Sequence, residues 1–105
     1  VPLDRWLSRF SRNYAFLHRA VHTVGRDLAR RDYDAFLQPG EELSFTQFVE
    51  GRQVEFEVEV FRIDPADQAL WVRVTPRAKL STPLDLRPAC VFRKLPDGRA
   101  YVQLR

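Results

Sequence analysis

Methionine is absent from this chain, cysteine occurs once, histidine twice and glycine four times. A lone cysteine, Cys90, excludes an internal disulfide framework and a cysteine-rich zinc site. The scattered glycines form no phosphate-cradling loop. None of Ser8, Ser11, Ser44 or Ser81 stands in the Gly-Xaa-Ser-Xaa-Gly setting of a hydrolase nucleophile. No apolar run approaches the roughly 20 residues of a membrane span, and no secretory leader is visible. Internal repeats, linkers and low-complexity tracts are also missing. These absences point to a cytoplasmic chain with no membrane partner, no metal and no cofactor. The first residue is Val rather than Met, as expected of a trimmed or processed chain.

What is present suffices for one domain. The 105 residues are 45% hydrophobic and 30% charged, the balance of a folded globular chain and not of a disordered one. A single domain over 1–105 is expected. Charge is unevenly placed. Up to residue 37 there are seven arginines and four aspartates, so the whole net charge of +3 sits on that segment.

That segment is also periodic. Leu3, Leu7, Phe10, Tyr14, Leu17, Val21, Val24 and Leu28 follow alternating steps of four and three, which predicts one long amphipathic helix. Ser11-Arg12-Asn13 holds weak helix formers and marks a candidate break, and Gly25 is a soft spot. Opposite the apolar stripe, Arg5, Arg12, Arg19 and Arg26 fall on one line, with Arg9 and Arg30 beside it. Phe16 falls inside this basic band. The band is either a solvated face or an electrostatic surface for phosphate or an acidic partner, nucleic acid included. No RNA-binding or helix-turn-helix motif accompanies it.

Residues 31–37 predict a short helical turn ended by Pro39-Gly40. Beyond it the pattern changes to alternation. Residues 43–49 alternate weakly, then turn at Glu50-Gly51-Arg52. Val54, Phe56, Val58 and Val60 alternate with Glu55, Glu57 and Glu59, a half-buried strand. Asp64-Pro65-Ala66-Asp67 supplies a turn, and Leu70, Val72 and Val74 alternate with Trp71, Arg73 and Thr75. Setting Asp64 opposite Gln68 pairs Val60 with Val72, Val58 with Val74, Glu59 with Arg73 and Phe61 with Trp71. Those pairs are of the favoured kinds, and only Arg62 against Leu70 is chemically poor. Residues 77–87, with Pro83, read as loop or edge. A last hairpin turns at Pro96-Asp97-Gly98, with Leu95 opposite Arg99, Phe92 facing Val102, Cys90 facing Leu104 and Arg93 facing Tyr101.

The expected fold is therefore α+β, a long N-terminal helix packed on a curved antiparallel sheet of four or five strands. This order, with a helix running from His18 to Arg31 followed by Asp32-Tyr33-Asp34-Ala35-Phe36-Leu37 and long hairpins, resembles the NTF2-like and cystatin-like cone folds. The resemblance implies a sheet curling about the helix, with a pocket between them. It carries over no catalytic residue, because the usual pocket His/Asp pair after the second helix is not visible. Enzymes, binding domains and dimerising modules all share that fold.

Several residues invite chemistry. His18 and His22 stand four apart and share a helix face, but a catalytic zinc needs a third ligand. Cys90 lies on an apolar strand face, where free cysteine acts as a small hydrophobe. Asp32 suits a cap for the short helix; together with Tyr14 and His18 it also makes a candidate acid/base site at a pocket mouth. Phe61, Trp71 and Tyr101 share a strand face with Glu59 and Arg73. So much aromatic surface is expected either to pair with a second copy or a protein partner, or to be covered by residues 77–87. A non-enzymatic interaction or ligand-binding module is the expectation, against a small enzyme or a nucleic-acid binder.

Overall fold

The computed structural model describes residues 3–36, 43–77 and 87–103, with side chains from 11 onward in the first segment and from 44 in the second. Helix α1 (Leu3–Ala29) leads into a 3-10 turn at Tyr33–Phe36. Among the described residues five strands follow: β1 (Leu43–Val49), β2 (Arg52–Ile63), β3 (Leu70–Pro76), β4 (Cys90–Lys94) and β5 (Ala100–Val102). They form one open antiparallel meander in the order β1-β2-β3-β4-β5. The fold is α+β, as the alternation of patterns predicts.

The helix runs without interruption through Ser11-Arg12-Asn13, so the expected break is not there. Leu17, Ala20, Val21, Val24 and Leu28 are buried against the inner face of the sheet, while Tyr14 at the end of the same stripe is 37% exposed. That inner face is made by Val54, Phe56 and Val58 from β2, Leu70, Val72 and Val74 from β3, and Cys90 and Phe92 from β4. Alternating strand residues and a helical stripe thus close on one apolar layer. Within it, Phe36 meets Phe92 edge to face at 5.8 Å, and Phe45 stacks on Phe56 at 5.6 Å.

Two close approaches depend on particular side chains. Gly25 is not a soft spot but a contact. A Cβ there would lie 2.4 Å from Cys90 Sγ, so only glycine lets α1 pass over β4. Four residues on, Lys94 points into the core and is only 2% exposed. Its ammonium donates to the carbonyl of Ala29 at 2.8 Å and to that of Gly98 at 2.9 Å. One cation thereby caps the negative end of α1 and ties it to the last hairpin turn.

The β2–β3 register matches expectation at Val58–Val74, Glu59–Arg73 and Val60–Val72, and then shifts. A bulge between Val60 and Arg62 sets Arg62 against Trp71 and Ile63 against Leu70. This corrects the Phe61–Trp71 and Arg62–Leu70 pairs of plain alternation. Continued alternation would have driven a guanidinium toward the core; one extra residue moves it out. The last hairpin keeps its expected register, with Phe92–Val102 and Arg93–Tyr101 paired and Leu95 N–H donating to Arg99 O at 2.9 Å. The Cys90–Leu104 pair, the break at Pro39-Gly40 and the path of 78–86 lie outside the described residues.

Candidate functional site

The outer face of the sheet is built by the alternate residues of β2, β3 and β4. Trp71, Arg73, Val91 and Arg93 are half-buried there, and Glu55, Glu59 and Phe61 are exposed. The face is organised by cation–aromatic stacks. The Arg73 guanidinium lies 4.8 Å from the Phe61 ring centroid, and Arg93 lies 5.8 Å from that of Trp71. Each guanidinium also meets a carboxylate. Arg73 pairs with Glu59 at 3.1 Å, and Arg93 pairs with Asp67 and lies 3.8 Å from Asp64. At the far end Arg77 pairs with Glu55 at 2.8 Å. Phe61 nevertheless remains 41% exposed and Tyr101 52% exposed. The structure therefore brings Phe61, Trp71, Arg73 and Glu59 into one patch, with Tyr101 on the neighbouring strand opposite Arg93.

The turn that carries Asp64 and Asp67 is firmly built. Asp64 Oδ1 accepts from Ala66 N–H and Asp67 Oδ1 from Ala69 N–H, both at 3.0 Å. Gln68 takes a positive φ of 61°, and its carbonyl accepts a 2.5 Å hydrogen bond from the Tyr33 hydroxyl. The 3-10 turn and the β2–β3 turn are thus fastened together.

A groove of about 530 Å³ is lined by residues that include Tyr14, His18, Phe61, Arg62, Trp71 and Gln103. The Tyr14 and His18 rings lie 6.3 Å apart between centroids, and the His18 ring lies 4.4 Å from that of His22, tilted by 46°. Asp32 does not belong to this lining. It stands at the other end of α1, where its carbonyl accepts the Ala35 N–H at the start of the 3-10 turn. The expected grouping of Tyr14, His18 and Asp32 is therefore split, two in the groove and one at a turn. His22 Nε2 is buried without a hydrogen-bond partner among the described residues. Burial, then His18, then Arg26 hold the His22 imidazole below its ordinary pKa. Burial pushes the Cys90 thiol up, with Arg26 partly opposing, which disfavours the thiolate a nucleophile requires. Among the described residues, no cluster of three or more His, Cys, Asp or Glu is placed to hold a metal.

On the opposite side of the molecule, Arg12, Arg19, Arg26 and Arg30 are exposed along α1. The side chains of Arg5 and Arg9 lie outside the described residues. Arg19 is engaged by Glu50 of the β1–β2 turn at 3.1 and 3.3 Å. Phe16 is not an exposed aromatic of this band. It is buried, with the Arg52 guanidinium 4.1 Å over its ring. Helical periodicity alone places Phe16 among arginines; the β1–β2 turn that folds against that side of the helix has no local signature in the helix itself.

Two placements, those of Arg62 and Lys94, have no clear local signature in the sequence. Arg62 enters the groove only because of the bulge, whose one signal is the poor Arg62–Leu70 pair. Lys94 reads as an ordinary strand lysine until the helix end is placed above it. No helix among the described residues is long and apolar enough to cross a membrane. Set against family models, curated proteins and solved structures, the chain matches none.

Proposed function

We propose that this chain is a small non-enzymatic interaction module that associates with a second copy through the outer face of its sheet. The observation that carries the reading is the Phe61–Arg73 and Trp71–Arg93 patch with Tyr101 beside it. Aromatic residues and arginine are the types enriched at binding hot spots. The arginines of the patch already hold carboxylate partners within their own chain. Covering the face therefore leaves neither of them as an isolated buried charge.

The test is light scattering after size exclusion, at low and high salt. A dimer that persists in high salt and is weakened by Trp71→Ala supports the reading. An unchanged oligomer size in Trp71→Ala sinks it. Association that collapses with salt would instead favour the basic face of α1, and nucleic-acid binding sensitive to charge reversal at Arg12, Arg19 and Arg26 would make that the function.

A second reading rests on the groove. Its mixture of aromatic walls with Arg62 and His18 is the lining of a small-ligand site. Separation of Asp32 from Tyr14 and His18 favours binding over acid/base catalysis there. Kinship with the NTF2-like and cystatin-like cone folds belongs to the same proposal and is supported by one helix laid across an antiparallel meander. Residence in the cytoplasm is likewise proposed, on the single unpaired cysteine.

A further inference from the structure

The two edges of the sheet are protected very differently. Strand β5 is three residues long, Ala100–Val102, and is preceded by Arg99. Strand β1 is seven residues long and reads Leu-Ser-Phe-Thr-Gln-Phe-Val. It holds no charge, no proline and no glycine, and its register with β2 contains no bulge. Short length, charge, proline and bulges are the devices by which natural edges avoid pairing with other chains. Strand β1 has none of them. Among the described residues, no strand pairs with its other side.

The hairpin settles which backbone groups face outward. Val49 pairs with Arg52 across a two-residue turn, Glu50-Gly51, whose φ values of 50° and 76° are both positive, as a type I′ turn requires. Such a turn is closed by a hydrogen-bonded pair. Val49, Gln47 and Phe45 therefore bond to β2, and the N–H and C=O groups of Ser44, Thr46 and Phe48 point away from the sheet. The side chains of these three residues are exposed, Phe48 by 70%.

We propose that this edge is a self-pairing site, and that its occupant is β1 of a second copy, antiparallel about a two-fold axis through Thr46. The strand is self-complementary in that register. Thr46 meets Thr46, Ser44 meets Phe48, Phe45 meets Gln47 and Leu43 meets Val49, so all seven residues find partners and no like charges oppose. About six backbone hydrogen bonds form across the axis. The axis stands perpendicular to the sheet, which puts both copies of α1 on one face of a continuous ten-stranded sheet. Among the described residues α1 packs chiefly over β3, β4 and β5, away from this edge. The contact is separate from the outer-face patch and does not involve Trp71.

Amide hydrogen exchange on the unmodified chain at low and high protein concentration tests it directly. The expected result is slow exchange at Phe45 and Gln47 throughout, with protection at Ser44, Thr46 and Phe48 that rises with concentration. Equal exchange of those three amides at every concentration overturns the proposal, even if a dimer forms elsewhere. Charge variants then test the register. Thr46→Lys and Thr46→Glu each place like charges face to face on the axis and weaken the dimer by about tenfold or more. An equimolar mixture of the two, each first shown to be folded by circular dichroism, restores it. A Thr46→Lys chain that dimerises undiminished, or a mixture that restores nothing, overturns the register. Trp71→Ala leaves the exchange pattern intact, so failure here and failure of the outer-face reading are told apart.

Discussion

The helix-covered end of the sheet and the β1 end are built to different standards. Over β3 and β4, Leu70, Val72, Val74, Cys90 and Phe92 are wholly excluded from solvent. There the helix comes so close that Gly25 and Cys90 are in contact through a space no side chain would fit. On β1, Ser44, Thr46 and Phe48 are exposed, and even Phe45 and Gln47 on the inner side are only half-buried. One end is fitted like an organic crystal, where each methylene matters. The other is loosely covered among the described residues. The tight packing over β3 and β4 is where each side chain contributes most to stability, and the outer residues of β1 contribute least.

Substitution at the two ends sharpens this contrast. Phe92→Ala removes a fully buried ring and its edge-to-face contact with Phe36, and is expected to cost about 3–5 kcal/mol. The same truncation at Phe48 is expected to change monomer stability by no more than about 0.5 kcal/mol. Chemical denaturation of the two variants measures both. Next in size is Gly25→Ala. On an open helix this change stabilises by roughly 1 kcal/mol. Here the added methyl meets Cys90 Sγ, and a loss of about 1–3 kcal/mol is expected. Adding Cys90→Ala to that variant removes the sulfur and recovers part of the loss, a coupling that a double-mutant cycle reads.

The smallest effect is a pH dependence. His22 is held below its ordinary value of 6.5. The native state therefore favours the neutral ring, and the unfolded chain binds the extra proton first. The stability this represents is complete above the unfolded pKa and is lost as pH falls from there through the folded pKa. His22→Asn is expected to flatten that part of the stability curve, as measured by denaturation midpoints between about pH 5 and 8. A variant with the wild-type slope would show that His22 is not its source.

What sequence patterns reveal here divides along the same line as covalent distance. Strand alternation in β2 and β3 and the turn chemistry at Asp64 and Gly98 are local, and they yield the register correctly up to Val60. The bulge is invisible to a rule of two, yet it falls at the one pair, Arg62 against Leu70, that the rule makes chemically poor. Gly25 is mistaken for weakness because a helix-propensity scale contains no neighbouring strand. Phe16 is assigned to the wrong environment for a related reason, since Arg52 covers it from 36 positions away. In the candidate site, the Phe61, Trp71 and Arg73 grouping follows from alternation. The groove draws on Tyr14, Arg62 and Gln103, which no local pattern brings together.

The ammonium of Lys94 also bears on the order of events in folding. It reaches Ala29 across 65 positions of chain. Until the fourth strand has been laid down, the end of the helix has no such cation to meet its carbonyl. That contact closes a long loop, and its entropic cost is met only when the last hairpin is in place. Glu50 and Arg52 hold the helix from the first hairpin, and Lys94 clamps its end from the last, so the two ends of the sheet grip one helix.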